Sequence, residues 1–322
     1  MLNRGLARVA GCAIAISCGS SSTPPCKPSE PCAVVEPTQW VLEGPDANLF
    51  IRSIGGGPGA PILVLLHGGP GVSSDYLAAL DSLAGPALQV VTYDQRGTGR
   101  STAQPDETYS EASYVADLER VRIAIGAERI HVLGHSWGGL LALMYATRHP
   151  DRLLSLTLVD SAPPWKQATE AGSQRFGARI VALTEQGILP ENVPADRGND
   201  CTPGLAAIMP VYFSDPRHPA AKLAGPTCHA GPQKTWQSLG DFDFRGALQT
   251  ITVRSLVIHG ADDPFGLPWA EEVASSLPAA KPELLVIPKC GHMPWIECPM
   301  PFYDKLRAFL GQGTSIATSP QT

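Results

Sequence analysis

Arg129-Ile130-His131-Val132-Leu133-Gly134-His135-Ser136-Trp137-Gly138-Gly139-Leu140-Leu141-Ala142-Leu143-Met144-Tyr145-Ala146-Thr147-Arg148-His149-Pro150 is the stretch that decides the fold. An apolar run ends at Leu133, and a helical run starts at Trp137 and stops before Pro150. Gly134-x-Ser136-x-Gly138 lies between them. Strand and helix are joined within a few residues, so their backbones crowd together, and a side chain at Gly134 or Gly138 would clash. A short Gly/Ser pattern alone occurs by chance. Between a buried strand and a helix it predicts a strained turn that lifts the Ser136 hydroxyl above a sheet edge, at the positive end of the helix.

Pro61 to Leu66, Leu88 to Tyr93 and Leu153 to Val159 are further unbroken apolar runs, as expected of strands covered on both faces. Gln39 to Glu43 and Leu49 to Ile54 predict an opening hairpin. Between Ser110 and Ile125, apolar residues at Tyr114, Val115, Leu118, Val121 and Ile125 have helical spacing. The rhythm breaks from about Pro163 to Gly246, where Pro, Gly and aromatics abound. It resumes with a strand at Val253 to His259, a helix at Pro268 to Ser276, a strand at Glu283 to Ile287 and a helix at Pro301 to Leu310. This alternation predicts an α/β fold with a mostly parallel central sheet and helices on both faces. The expected organisation is a leader and Pro/Ser-rich tail over 1–37, core over 38–162, an inserted, mainly helical cap over 163–246, core again over 247–312, and a frayed tail over 313–322.

A serine nucleophile needs a base, and His292 in Cys290-Gly291-His292 follows the last predicted strand. His67 and His259 end strands and are expected to orient loops, while His135 is expected to point away. Asp262 and Asp263 follow the strand ending at His259-Gly260, which gives the chain order Ser, Asp, His. Asp263 is favoured because it precedes Pro264 in a tight turn; Asp262 is the alternative, and Asp160 a more distant one. The oxyanion of a tetrahedral intermediate needs two N–H donors, for which Trp137 and Gly69 are the candidates.

His67-Gly68-Gly69-Pro70-Gly71, Tyr93-Asp94-Gln95-Arg96-Gly97-Thr98-Gly99-Arg100-Ser101 and Gly134-His135-Ser136-Trp137-Gly138-Gly139 together resemble the proline iminopeptidase family of α/β-hydrolases. The resemblance runs from about residue 40 and is weakest in the insert. It implies the α/β-hydrolase fold and release of a small N-terminal residue from a peptide, with cap carboxylates holding the substrate ammonium. The Trp-Glu pairing usual in that family's first cap helix is absent; Trp165 and Glu170 are the nearest residues, and Glu185 and Glu191 are further candidates. Trp165, Phe176, Tyr212, Phe213 and Trp236 are candidate apolar walls. Hydrolysis of carboxylic esters or lactones is the rival activity, and a non-catalytic binding protein a remote one.

The 322 residues carry a formal charge of −6 with 43% hydrophobic and 17% charged residues, a globular balance with no basic stripe for nucleic acid. The expected partner is a small molecule or short peptide. No Cys-x-x-Cys or His-Glu-x-x-His spacing suggests a metal, and no cofactor is expected. Arg4 and Arg8 precede a short apolar run, Val9 to Ile16, too short to span a bilayer. This start resembles a bacterial lipoprotein signal in which Cys18 is lipidated and anchors the chain to a membrane; ordinary signal cleavage is the alternative. Either predicts export to the periplasm or outside. If Cys18 is lipidated, six cysteines remain, and proximity favours Cys26–Cys32, Cys201–Cys228 and Cys290–Cys298.

Overall fold

Eight strands form one sheet in the order β1-β2-β4-β3-β5-β6-β7-β8. They are β1 (Thr38–Leu42), β2 (Leu49–Gly55), β3 (Ile62–Leu66), β4 (Gln89–Tyr93), β5 (Ile130–His135), β6 (Leu153–Val159), β7 (Ser255–Gly260) and β8 (Glu283–Ile287). This is a computed structural model that describes residues 36–102, 109–222 and 226–312. The leader, Cys18, the Cys26–Cys32 pair and the tail 313–322 lie outside these residues. The β1–β2 hairpin places Leu42 opposite Leu49. β2 also runs antiparallel to β4, and every later pairing is parallel.

Strand alternation sorts the core into two layers. Val64 and Leu66 of β3 join Val91, Tyr93 and Val257 beneath α1 (Glu111–Ala124) and α2 (Trp137–Arg148). Leu63 and Leu65 face the other way, with Val90, Leu133 and Ile258, under a 3₁₀ segment at Ser74–Leu83. That segment buries Ser74, Leu77, Leu80 and Leu83, the spacing of three that a 3₁₀ turn requires. α1 starts where the Ser110 hydroxyl accepts from the Ser113 N–H, satisfying an orphan donor of the first turn. α2 is buried from Trp137 to Ala146, so its apolar character runs all round.

Between β6 and β7 lie α3 (Lys166–Glu185), α4 (Thr202–Ile208), α5 (Lys234–Leu239) and α6 (Arg245–Leu248). α3 is twenty residues long but buries only Thr169, Gly172 and Leu183. Its apolar stripe is therefore too thin to stand out in the sequence. After β7 come α7 (Pro268–Ser275), α8 (Pro294–Glu297) and α9 (Pro299–Phe309), which starts two residues before its expected position. Phe302, Leu306 and Phe309 of α9 complete the second layer. Among the described residues two disulfides are present, Cys201–Cys228 within the insert and Cys290–Cys298 around α8. No helix among the described residues is long and apolar enough to cross a membrane.

Burial leaves its mark on the histidines. His131 on β5 meets the Ser155 hydroxyl at 2.7 Å, and burial, helped by the Arg254 charge, pushes its pKa from 6.5 down to about 4. The unfolded chain therefore takes up this proton before the folded one does. The resulting stability is full above about pH 6.5 and is lost as pH falls toward about 4. We expect His131→Gln, which can still bond Ser155, to melt with a shallower pH dependence than the parent over that window. Parallel melting curves from pH 7 to pH 4 would contradict it.

Candidate active site

Ser136 sits at φ 55°, ψ −121°, between β5 and α2. A non-glycine residue at positive φ is strained and persists only where its surroundings impose it. Here the Ser136 N–H donates to the Val159 carbonyl (3.0 Å), and its carbonyl accepts from Ala162 N–H (3.0 Å) and Gly139 N–H (2.9 Å). A Cβ on Gly134 would lie 2.2 Å from the Gly138 carbonyl oxygen, and one on Gly138 would lie 2.2 Å from that of Leu66. Backbone cannot yield as a side-chain tip can, so both positions need glycine.

His292 lies in the loop after β8, held by its N–H to the Tyr212 carbonyl (2.7 Å). Its Nδ1 meets Asp263 Oδ2 at 2.5 Å, and both groups are buried. Burial by itself would raise the Asp263 pKa, but the charge and hydrogen bond of His292 override it and hold the carboxyl well below its usual range. Asp262 instead accepts from the Ser214 hydroxyl at 2.6 Å on the exposed side. Asp160, the most distant candidate, lies beside the Asp263–His292 pair: one carboxylate oxygen of Asp160, one of Asp263 and one ring nitrogen of His292 all lie within 4.8 Å of one another. Its Oδ1 accepts from Gly260 N–H (2.8 Å) and contacts His259 Nδ1 (3.1 Å). Its buried Oδ2 has no N–H or hydroxyl donor among the described residues, and the group beside it is the Asp263 carboxyl. Burial, and then the Asp263 charge, push Asp160 well above the carboxylate range. Two carboxylates buried this close cannot both ionise, so Asp160 carries a proton beside an ionised Asp263.

His135 does not point away from the site as expected from the sequence. Its ring lies 4.6 Å from that of His292, and its Nε2 contacts the His292 carbonyl at 2.8 Å. Its Nδ1 meets the Tyr76 hydroxyl at 2.7 Å, which in turn accepts from Gly68 N–H at 2.6 Å. Burial, with the nearby His292, keeps His135 neutral, so it donates to the carbonyl and accepts from Tyr76. Gly68 N–H is thereby occupied, and Gly69 is the next residue of that loop. Gln95 makes a parallel tie: its N–H donates to His67 Nε2 and its side-chain amide to the His67 carbonyl, while its carbonyl oxygen accepts from Trp137 Nε1 (2.8 Å each). Asp94 and Arg96 are buried ties in the same loop, Asp94 to Ser74 (2.7 Å) and Arg96 to Asp117 (2.8 Å). Glu297 accepts from Gly291 N–H (2.6 Å) and Ser214 N–H (2.8 Å), joining the His292 loop to the insert. Tyr76, Gln95 and Glu297 are not among the site candidates that the sequence offers, whereas Asp160 is its most distant candidate for the acid. Only Asp160 offered a signal, standing one residue past a strand as Asp94 does.

Ser136 opens on two cavities. The first, of about 300 Å³, is lined by Gly69, Ser136, Trp137, Trp236, Phe242, Phe265 and Trp269, with Lys166, Thr169, Glu170 and Ser173 of α3. The second, of about 90 Å³, is lined by Ser136, His135, His292, Tyr76, Tyr212 and Met293 among others. Of the insert residues proposed from sequence, Glu170 and Trp236 line the first cavity and Tyr212 the second. The others are placed elsewhere. Phe213 is fully buried, stacked 5.2 Å from His218. Trp165 donates from Nε1 to Glu272 (2.9 Å) under the Arg245 guanidinium. Glu185 and Glu191 are exposed, at the end of α3 and just beyond it, and line neither cavity. Phe176 packs on Phe265 and Tyr212.

The insert also grips the loop that carries Gly69. Val72 bridges Cys228, the His229 N–H donates to the Gly71 carbonyl (2.8 Å), and Ser73 N–H donates to the Thr227 carbonyl (2.9 Å).

A family model described as the alpha/beta hydrolase fold matches residues 61–187. The chain is 31% identical over 272 residues to the proline iminopeptidase of Lactiplantibacillus plantarum, covering 77% of this chain and 91% of that one. The crystal structure of a proline iminopeptidase-related protein from Thermus thermophilus is similar at a TM-score of 0.68 and 25% identity, over 86% of this chain and 98% of that one. An esterase from Exiguobacterium antarcticum shares the fold at a TM-score of 0.62 and 21% identity, over 82% of this chain and 96% of that one.

Asp263→Asn should lower kcat for a chromogenic substrate by about ten-thousandfold, because an amide favours the wrong imidazole tautomer. Asp262→Asn should change it by less than about threefold, since that side chain is bonded on the surface. Asp160→Asn, whose amide can donate as the protonated carboxyl does, should retain far more activity than Asp160→Ala. Comparable losses for Asp262→Asn and Asp263→Asn would show that the wrong carboxylate has been chosen.

Proposed function

Because the chain belongs to the proline iminopeptidase family of α/β-hydrolases, we propose that it is a serine aminopeptidase that releases a small N-terminal residue from short peptides. Ser136 Oγ attacks the scissile carbonyl and passes its proton to His292 Nε2. Gly69 and Trp137 N–H groups take the oxyanion, and Asp263 fixes the imidazole and stabilises its charged form. His292 then gives the proton to the departing amine, leaving an acyl-enzyme that water hydrolyses by the same steps in reverse order.

The observation that carries the peptidase reading is the charge set on the wall of the first cavity. Lys166 lies 2.6 Å from Asp241 and 3.9 Å from Glu170. Lys166 pairs at the shorter distance with Asp241, which does not line the cavity, so the carboxylate on the wall of the cavity that holds Ser136 is Glu170. A substrate ammonium placed one residue from the scissile carbonyl would meet it. The Glu170 side chain is 58% exposed, so its contribution to selectivity is modest. The two disulfides support the further proposal that the protein works after export, in an oxidising compartment.

Alanyl and prolyl anilides should be cleaved, and their N-acetyl forms much more slowly. Ser136→Ala should lower kcat on the order of a millionfold while leaving the melting temperature near that of the parent. Glu170→Gln should raise KM for free-amine substrates about fivefold, with little change for short acyl esters. Equal rates on free and acetylated substrates, or turnover of simple esters alone, would replace the peptidase reading with the esterase one.

A further inference from the structure

The geometry points to a leaving-group subsite on the His292 side of Ser136, built for an apolar residue and reaching beneath α4. This inference rests on the proposed role of His292. An imidazole that protonates the departing atom must lie on the departing atom's side of the nucleophile. His292 lines the second cavity and not the first, whereas Trp137 and Glu170 line the first and not the second. The acyl residue therefore belongs in the first cavity, and whatever leaves belongs in the second.

The second cavity is continuous in its lining with a third, of about 380 Å³, since Gly69, Val72, Leu205 and Tyr212 line both. Together they have room for a side chain and the chain that follows it. Leu205 and Met209 cover the second cavity, and Val193, Leu205 and Ile208 the third. α4 is fastened at its start by Cys201–Cys228, and Cys228 itself bridges Val72, so this apolar roof is tied to the loop beneath it. The charge among the residues lining the third cavity is Asp196. A leaving group that ends in a carboxylate meets that charge; one that ends in an amide, or continues as peptide, does not. The ligand class is thus a peptide whose second residue is apolar and is not the terminal acid.

The test uses the whole protein and two substrate series that differ only in the leaving group. Alanyl-glycinamide, alanyl-leucinamide and alanyl-leucine form the first, and ethyl, butyl and hexyl acetate the second. For the first, kcat/KM should rise at least about tenfold from glycinamide to leucinamide, the scale of one well-buried apolar group, and fall severalfold from the amide to the free acid. Leu205→Gln should shrink the leucinamide-to-glycinamide ratio, a comparison made within one preparation and so independent of how much of it folds. If that variant does not fold, the series on the parent protein decides alone. A rate that climbs with alkyl length in the acetates, with no cleavage of the alanyl amides, would uphold the subsite and overturn the peptidase reading. Rates that stay flat across both series overturn the subsite.

Discussion

The site depends on one backbone conformation that serine would not choose. Ser136 is held at positive φ because β5 and α2 approach so closely that neither Gly134 nor Gly138 has space for a methyl group. Hydrogen bonds from both neighbouring segments close off relaxation. The strain is offset by the packing of α2, buried along ten successive residues from Trp137 to Ala146. Rigidity here fixes the position from which everything else is measured: the cavity on each side, the imidazole on one of them, and the N–H groups of Trp137 and Gly69.

Around that fixed point the electrostatics are layered. His292 faces an ionised Asp263, and behind it a protonated Asp160 faces a neutral His259. A single buried carboxylate would carry its full desolvation penalty. A neighbour that keeps its proton can donate to it without adding charge, which satisfies a second acceptor in a dry interior at a smaller penalty. The adjoining His135–Tyr76–Gly68 series works with neutral groups only. The loops of Gly69 and His292 are joined by it through His135, the residue next to Ser136.

The sheet was legible because its central strands, such as β3 and β7, are buried on both faces and so read as unbroken apolar runs. Ser136, Asp263 and His292 are candidates because each lies just past a strand, where motif spacing and chain order restrict the choice, and the structure sets Asp263 against His292 and lines one cavity with Ser136 and His292. What the sequence left hidden was lateral. Nothing along the chain says that Tyr76 and Gln95 reach across to His135 and Trp137, or that Asp160 turns inward. The insert was harder still. α3 buries few side chains, and aromatic content could not tell Trp236, which lines the cavity, from Phe213, which fills the core.

The stitching of the insert to the Gly69 loop has a consequence for how such proteins can diverge. Val72, Ser73 and Gly71 are joined through backbone groups to residues 227–229, so the insert and the Gly69 loop are parts of one mechanical piece. An insert transplanted from a relative would carry its own contour to that loop and tilt the N–H groups with it. On the proposed mechanism, specificity and catalytic power are then inherited together, and recombination that exchanges the insert alone would have to carry residues 69–73 along with it.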